Sequence, residues 1–430
     1  METKQFKKRR IPSVSDAHSC AFCDSVNIEI IANFGSMGLA GGFLTSDEIE
    51  QETRYPMNLG FCPECYAVQI LDKINPDTMF KKGYFYFSSS IGTLREHFRK
   101  YAAEVVDRFV TNREDTKILE IGCNDGVLLT PLADLNIGTL IGVDPASNIV
   151  NKIDDKRIVA INSYFDEECA DKVVNEFGRV DLILANNVFA HINDINLMTC
   201  AIDKALTPDG VFVFEVHYLG KIIDEMQYDM IYHEHIYYYS LLALENHFSR
   251  YGMIVFDIKK VANHGGSIRF HVCRENSKLA FRSDRVKNLR DDELAKNFDN
   301  ISLFQEFGEK INQQRSDLLD LLRSIKSEGK SIVGYGASGR ANTMLQFCGI
   351  DDSLIDYMVD DAPAKTGFFT PGSHLEIKSK IPLTGEDRPD YVVIFGWTFL
   401  KEICNRNMDY LQSGGQFIIP LPKVKIMSKV

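Results

Sequence analysis

Two cysteine pairs, Cys20-Ala-Phe-Cys23 and Cys62-Pro-Glu-Cys65, carry the plainest chemistry in the chain. Each pair sits on a tight turn, so its two sulfurs face one point, and four thiolates at tetrahedral reach suit Zn²⁺. All four positions are cysteine, which leaves no open coordination site, so the ion is expected to be structural. The 38-residue gap between the pairs is longer than in a compact zinc ribbon. A redox role would call for one Cys-x-x-Cys opening a helix inside a βαβ unit, and neither pair does so. A segment this small builds little core alone, and the ion would take the place of that core.

A second constellation is Glu120-Ile-Gly122-Cys-Asn-Asp-Gly126, at the end of an apolar strand and the start of a helix. Glycines there let the backbone bend sharply and let a ligand lie against it. The next strand ends in Asp144, 22 residues after Gly122, where a carboxylate can accept two hydrogen bonds from a ribose diol. A three-glycine fingerprint would cradle a pyrophosphate. Here the spacing is Gly-x-x-x-Gly with an acidic residue before it, which favours an adenosine cofactor without phosphate, S-adenosylmethionine. The third strand tip, Ala185-Asn186-Asn187, falls in register with both. Gly122, Asn124, Gly126, Asp144, Phe165 and Asn186 are the expected cofactor contacts.

Tyr232-His233-Glu234-His235, followed by three tyrosines at 237–239, is a third cluster. It is not a zincin motif, which needs two histidines four apart on a helix. Imidazole titrates near neutrality and suits a general base; the alternative is a structural hydrogen-bond knot. His191 lies just past the third strand, on the ligand side of the sheet, where a histidine can also be a mere helix-start residue. Tyr84-Phe-Tyr86-Phe-Ser88-Ser-Ser90 reads either as core packing or as a lid over the cofactor. Near the C-terminus, Gly334-Tyr-Gly336-Ala-Ser338-Gly339-Arg340 also links a strand to a helix, whose first amides could receive a pyrophosphate. Gly336, Ser338, Arg340 and Asn342 are the expected contacts there, with Asp360, Lys365, Pro371 and Gly372 in later connections. The alternative is a packing partner with a vestigial glycine turn.

The elements that must hold these groups fall into three parts. At 430 residues, about 150 per domain suggests three. Composition is ordinary for a globular chain, with 45% hydrophobic and 25% charged residues. A net charge of −12 opposes bulk nucleic-acid binding. No run of 18 apolar residues suggests a membrane span, and the basic N-terminus lacks the apolar core of a secretory signal. With no disulfide framework needed, a cytoplasmic location fits the ten cysteines. Strands at 117–121, 139–144, 180–184 and 211–216 alternate with helices, and those at 253–257 and 267–272 close the series as an antiparallel edge pair. That pattern predicts a doubly wound parallel sheet. Residues 280–328 are polar and helical, with Phe304, Phe307, Ile311, Leu318, Leu322 and Ile325 on one apolar face. Strands at 331–335, 355–359, 391–395 and 416–419 make a smaller α/β unit. The fold class is therefore α/β in three units, a small zinc-binding domain (1–80), a Rossmann-like methyltransferase domain of class I (81–280) and a second, smaller Rossmann-like domain (331–430), the last two joined by connecting helices (281–330).

Taken together these motifs resemble the S-adenosylmethionine-dependent sugar C-methyltransferases of bacterial deoxysugar pathways, over nearly the whole chain. The resemblance rests on the paired Cys-x-x-Cys segment, the run from Tyr84 to Ser90 with Thr93 and His97-Phe98, the glycine loop, Asn186-Asn187-Val-Phe-Ala-His191, Glu215-Val with Tyr218-Leu, the Tyr-His-Glu-His stretch and the C-terminal Gly-x-Gly-Ala-Ser unit. It implies transfer of a methyl group to a carbon, C3 being expected, beside the ketone of a nucleotide-linked 4-keto-6-deoxysugar, with dTDP as the expected nucleotide. It implies His235 as base, with Tyr86, His191, Tyr232 and Glu234 lining the site and the C-terminal domain holding the sugar nucleotide. A sugar C–H is too weak an acid unless a neighbouring ketone spreads the charge as an enolate, so the chemistry needs a near-neutral base and donors for the enolate oxygen. Two positions depart from the family pattern: His217 replaces a small or neutral residue, and Arg340 replaces Lys, a fork in place of a point charge. Competing readings are an O- or N-methyltransferase, a zinc-dependent scaffold without turnover, and a nicotinamide-linked sugar reductase using the C-terminal loop with Asp356 or Asp360. The oligomeric state is left open, a monomer being compatible.

Overall fold

The computed structural model describes residues 18–80, 89, 92–262, 265–381 and 388–427. Three sheets organise them. The N-terminal sheet pairs β1 (Glu29–Met37), β2 (Tyr55–Phe61) and β3 (Val68–Ile70) in antiparallel fashion. The central sheet contains β4 (Lys117–Ile121), β5 (Thr139–Asp144), β6 (Ile158–Asn162), β7 (Val180–Asn186) and β8 (Leu206–His217). The next strand, β9 (Tyr237–Tyr238), leaves the central unit and adds itself as the fourth strand of the N-terminal sheet, in the order β1-β2-β3-β9. Strands β10 (Met253–Val261) and β11 (Ser267–Arg274) then complete the central sheet as β10-β11-β8-β7-β4-β5-β6, antiparallel at the β10/β11 edge and parallel from β8 to β6. The C-terminal sheet comprises β12 (Ile332–Tyr335), β13 (Met358–Val359), β14 (Ile377–Lys378), β15 (Tyr391–Ile394), β16 (Gln416–Ile419) and β17 (Lys425–Met427), ordered β14-β13-β12-β15-β16-β17, with only β17 antiparallel among these described strands.

Both parallel sheets reverse their winding beside the first strand of the unit. β4 lies between β5 and β7, and β12 between β13 and β15. Loops on the two sides of such a strand diverge and leave a crevice at its carboxyl end, where doubly wound sheets take their ligands. The two glycine turns occupy those two crevices.

The strands follow the apolar runs, with three differences. β8 starts at Leu206, and its register with β7 jumps from Val180/Leu206 to Leu182/Val211, so the polar turn at 207–210 bulges out of an otherwise continuous strand. The strand expected at 355–359 shortens to Met358–Val359, because Asp356 instead bonds back to Ile332 and Lys326. The helical stretch at 280–328 resolves into Asp284–Ala295 and Ile301–Ser327. Asn297 between them is left-handed (φ 62°), and Ser283 and Asn300 cap the two N-termini with their side chains.

The long helix buries all six residues of its apolar face and packs on β1. At Gly308 a β-carbon would stand 2.0 Å from the Ile31 carbonyl, so only glycine permits that approach. One apolar cluster joins Cys20, Phe22, Cys62 and Cys65 to Phe189, Phe212, Phe214, Tyr239 and Phe248 of the central unit. A second joins the N-terminal sheet, the long helix and the C-terminal sheet. The N-terminal segment thus borrows both neighbours' cores. Among the described residues, no helix is long and apolar enough to cross a membrane.

Candidate active site and zinc centre

The two cysteine turns share one geometry. Asp24 N–H donates to the Cys20 carbonyl and Tyr66 N–H to the Cys62 carbonyl, and Asp24 (φ 67°) and Tyr66 (φ 63°) close the turns in the left-handed region. All four sulfurs lie within 4.8 Å of one another. Cys20 to Cys65 is 3.5 Å and Cys23 to Cys62 is 3.6 Å, close to the ~3.8 Å edge of a tetrahedron with Zn–S bonds of about 2.3 Å. Thiols this crowded cannot all ionise unaided. Hydrogen bonds from its neighbours, Cys62 first, pull Cys20 down, whereas the bond to Cys20 pushes Cys62 up to about 12 and Cys65 higher still. A divalent cation removes that conflict, so the donor set fits structural zinc.

At the carboxyl end of β4, Gly122 (φ 67°), Asn124 (φ 51°) and Gly126 (φ 78°) are all left-handed. A β-carbon on Gly122 would stand 2.2 Å from a Val188 methyl. Asp144, at the tip of β5, accepts from Asn124 N–H on one carboxylate oxygen and from Ala146 N–H on the other, both at 2.9 Å. The carboxyl group is thus fixed in direction, and burial raises its pKa. On the other side of β4, Asn186 at the tip of β7 donates weakly to Glu120 at 3.4 Å. Glu120 Oε2, Asn186 Oδ1 and the Tyr101 hydroxyl are buried with no hydrogen-bond partner among the described residues. Burial pushes the Glu120 carboxyl well above the usual carboxylate range. Two buried acceptors left open call for a donor such as an ammonium group, which fits the methionine end of S-adenosylmethionine. Phe165, just beyond β6, is buried.

His235 lies at the end of the Tyr-His-Glu-His turn with both ring nitrogens engaged. Nδ1 lies 3.0 Å from the Met230 carbonyl, which can only accept, so Nδ1 carries the proton. Nε2 then presents its lone pair, 2.9 Å from the Tyr232 hydroxyl. The His191 ring stands edge-on at 4.9 Å between centroids, and burial holds its pKa down to about 4. Burial pushes Glu234 up to about 7, partly offset by the Gly41 N–H that donates to it. A β-carbon on Gly41 would stand 3.0 Å from Glu234 Oε1. His233, by contrast, bonds to the Pro56 carbonyl at 3.1 Å and is a tie to β2. The structure therefore gathers His235, Tyr232 and His191, turns Glu234 to the Gly41 loop and sets His233 apart. Tyr86 and its neighbours at 81–88 lie outside the described residues.

A charged group at the tip of β8 supports this end of the sheet. Glu215 is 1% exposed and accepts from Arg269 (2.8 Å) and His97 (3.2 Å). Burial alone would raise its carboxyl, yet the His97 hydrogen bond and the Arg269 charge hold it below the usual range. Arg269 in turn lies over the Tyr101 ring at 3.4 Å. Neither Arg269 nor its link to Glu215 follows from local spacing. A lone charge on the inner face of each apolar strand, Val211-Phe-Val-Phe-Glu215 and Ser267-Ile-Arg269, is the signal that could have paired them.

In the C-terminal unit Gly336 is left-handed (φ 94°), with a β-carbon position 3.0 Å from the Gly396 amide, so the β12 and β15 loops touch there. Ser338 caps the helix Gly339–Cys348 by accepting from Ala341 N–H, and Lys365 donates to the Ala337 carbonyl inside the turn at 2.6 Å. Two expected contacts are engaged elsewhere. Arg340 makes a bidentate pair, 2.9 Å on each arm, with Asp229, which is 0% exposed and also accepts from Trp397 Nε1; a wholly buried carboxylate demands such a cation. Asn342, fully buried, donates to the Ala40 carbonyl at 2.6 Å. With Gln346, which pairs with the Gly38 peptide, it lashes the glycine loop 38–42 to this helix. Gly339 consequently approaches both Ala40 and the Tyr232 ring, so residues of all three units meet there. His217 bonds to the buried Gln227 at 3.4 Å.

Three family models match the chain in succession: a zinc binding domain over residues 20–80, a methyltransferase domain over 94–256 and a C-methyltransferase C-terminal domain over 262–422. The C-methyltransferase NovU of Streptomyces niveus is 30% identical over 410 residues, covering 95% of this chain and 96% of NovU. The ubiquinone biosynthesis O-methyltransferase of Bartonella tribocorum is 35% identical over 102 residues, 23% of this chain and 40% of that protein. The solved CcbJ methyltransferase of Streptomyces caelestis shares 12% identity at a TM-score of 0.34, over 44% of this chain and 99% of its own.

Proposed function

Because the chain belongs to the S-adenosylmethionine-dependent C-methyltransferases, we propose that it methylates carbon C3 of a dTDP-linked 4-keto-6-deoxysugar, in the cytoplasm, with His235 as the base. The observation that carries this reading is the hydrogen bonding of His235: Nδ1 faces the Met230 carbonyl, which can only accept, and so leaves Nε2 as the acceptor beside the Tyr232 hydroxyl.

We assign residues 1–80 to zinc binding, 81–280 to the methyl donor, 281–330 to connection and 331–430 to the sugar nucleotide. When bound, the donor supplies an electrophilic methyl group on a sulfonium. Gly122, Asn124 and Gly126 would give it a backbone surface, Asp144 would hold its ribose, Glu120 and Asn186 its ammonium, and Phe165 would add an apolar wall. Gly336 and Ser338 offer the helix-start amides for the diphosphate. Arg340 and Asn342 hold that helix against the other two units.

In the chemical step the Tyr232 hydroxyl turns from His235 Nε2 to the sugar, and the freed Nε2 removes the proton from the carbon beside the ketone, charge moving onto the ketone oxygen. His191, held neutral by desolvation of its half-buried ring, can donate a hydrogen bond to that oxygen, together with Tyr86. Tyr232 and Glu234 position the sugar hydroxyls. S-adenosylmethionine held by Gly122, Asn124, Gly126 and Asp144 would supply the methyl group to that carbon, the C–S bonding pair staying on sulfur so that S-adenosylhomocysteine leaves as a neutral thioether.

The test offers carbon-labelled S-adenosylmethionine with dTDP-linked 4-keto and 4-hydroxy sugars in parallel. A product methyl bonded to sugar carbon, formed only from the ketone, is expected. A methoxy signal from the reduced sugar would replace this reading with O-methylation.

A further inference from the structure

We propose that Gln69 is a positioning residue that couples the zinc centre to the His235/His191 pair; this rests on the reading of that pair as the catalytic centre. Gln69 is 1% exposed, on β3. Its carboxamide is oriented without ambiguity. Ala21 N–H can only donate, so the oxygen must face it (3.0 Å), and the NH₂ group must face Cys20 Sγ (3.2 Å). An N–H donor on a ligating thiolate fixes the sulfur and tempers its charge. One side chain therefore ties together both the ligand Cys20 and the backbone of its turn.

The same strand holds the catalytic turn. Gln69 pairs with Tyr237 and Val68 with Tyr238 across β3/β9. Next to that pair, Ile70 N–H donates to the Ile236 carbonyl and Ile236 N–H donates to the Ala190 carbonyl, each at 2.8 Å. The Ile236 peptide is thus clamped between the zinc-bearing sheet and the residue before His191, while His235 directly precedes it. Phe22, inside the first cysteine turn, sets its ring edge-on to Tyr237 at 5.2 Å. A shift of the turn at Cys20 has two routes to β9, through Gln69 and through Phe22. Because β9 is only two residues long, it has little pairing of its own with which to resist.

The test uses the full zinc-loaded chain with Gln69→Ala and with Gln69→Met, the second keeping the volume but unable to bond to Ala21 or donate to Cys20. Zinc affinity is read by competition with a chromogenic chelator, S-adenosylmethionine affinity by calorimetry, and the His235 and His191 ring nitrogens by NMR at saturating zinc. Both variants should lose about 10- to 100-fold in zinc affinity and show a displaced His235 Nε2 resonance, with donor affinity within twofold. Wild-type zinc affinity or unmoved histidine resonances in Gln69→Met would overturn the coupling, and Gln69→Met decides the matter if Gln69→Ala fails to fold. None of these readouts needs a methyl acceptor, so absence of turnover on every keto sugar would sink the proposed reaction while leaving this coupling separately decided.

Discussion

Arg340→Met separates a structural clamp from a phosphate contact. Asp229 is wholly buried and receives three hydrogen bonds, two from the Arg340 fork and one from Trp397. Methionine fills much of the same space but leaves the carboxylate with one neutral donor. Removing one partner of a buried pair costs about 3–5 kcal/mol, and at about 2–4 °C per kcal/mol for a unit of about 200 residues, such as the central one that holds Asp229, the melting point should fall by roughly 6–20 °C. A chain of several units need not unfold in one step, so the probe must be local. Trp397 is the single tryptophan of the sequence and is itself bonded to Asp229, so its fluorescence reports this junction directly. The double variant Asp229→Leu/Arg340→Met removes the stranded charge and should recover most of the loss. If Arg340→Met melts within a degree of wild type while KM for the sugar nucleotide rises, the guanidinium serves the phosphate and the clamp argument is wrong.

Further outcomes follow from the same geometry. His235→Asn should lower turnover about a hundred- to ten-thousand-fold with unchanged calorimetric binding of S-adenosylmethionine; retained turnover removes His235 as base. Gly122→Ala, strained at φ 67° and driven into Val188, should weaken donor binding at least tenfold by calorimetry, and binding within twofold of wild type would contradict the cradle. Burial raises the Glu234 carboxyl from 4.5 to about 7, so the folded chain binds more protons than the unfolded one across that window. Stability should therefore fall as pH rises from about 4.5 to 7, and Glu234→Gln should flatten this part of the melting-temperature profile; an unchanged slope refutes it. Chelating the zinc should open the N-terminal sheet to proteolysis and lower the melting temperature, because the cysteine turns are part of the central core; an unaltered digest would show that the ion contributes no fold.

Local turn geometry was legible and long-range pairing was not. The glycine turn after β4, the Asp144 tip and the two cysteine turns each depend on neighbours a few residues away, and spacing reveals such dependence. The N-terminal sheet was hidden for the opposite reason. Its fourth strand, Tyr237–Tyr238, comes from more than 160 residues downstream of β3, and three consecutive tyrosines carry no period from which pairing can be read. Residues 337–342 show the same limit. Read locally they are a phosphate-binding turn with a basic residue, yet Arg340 meets a partner 111 positions away and Asn342 one 302 positions away. Burial of Asp229 and the close approach of loop 38–42 decide those contacts, and neither property is written in the turn itself.

Hydrogen exchange at the acceptor carbon tests the base most directly. The protein is incubated in deuterated water with a dTDP-linked 4-keto-6-deoxysugar and S-adenosylhomocysteine, which fills the donor site without allowing transfer. Deuterium should enter the carbon beside the ketone with wild type and fail to enter with His235→Asn. Equal incorporation by both proteins, or none by a wild type that turns over normally with S-adenosylmethionine, would contradict proton removal by His235.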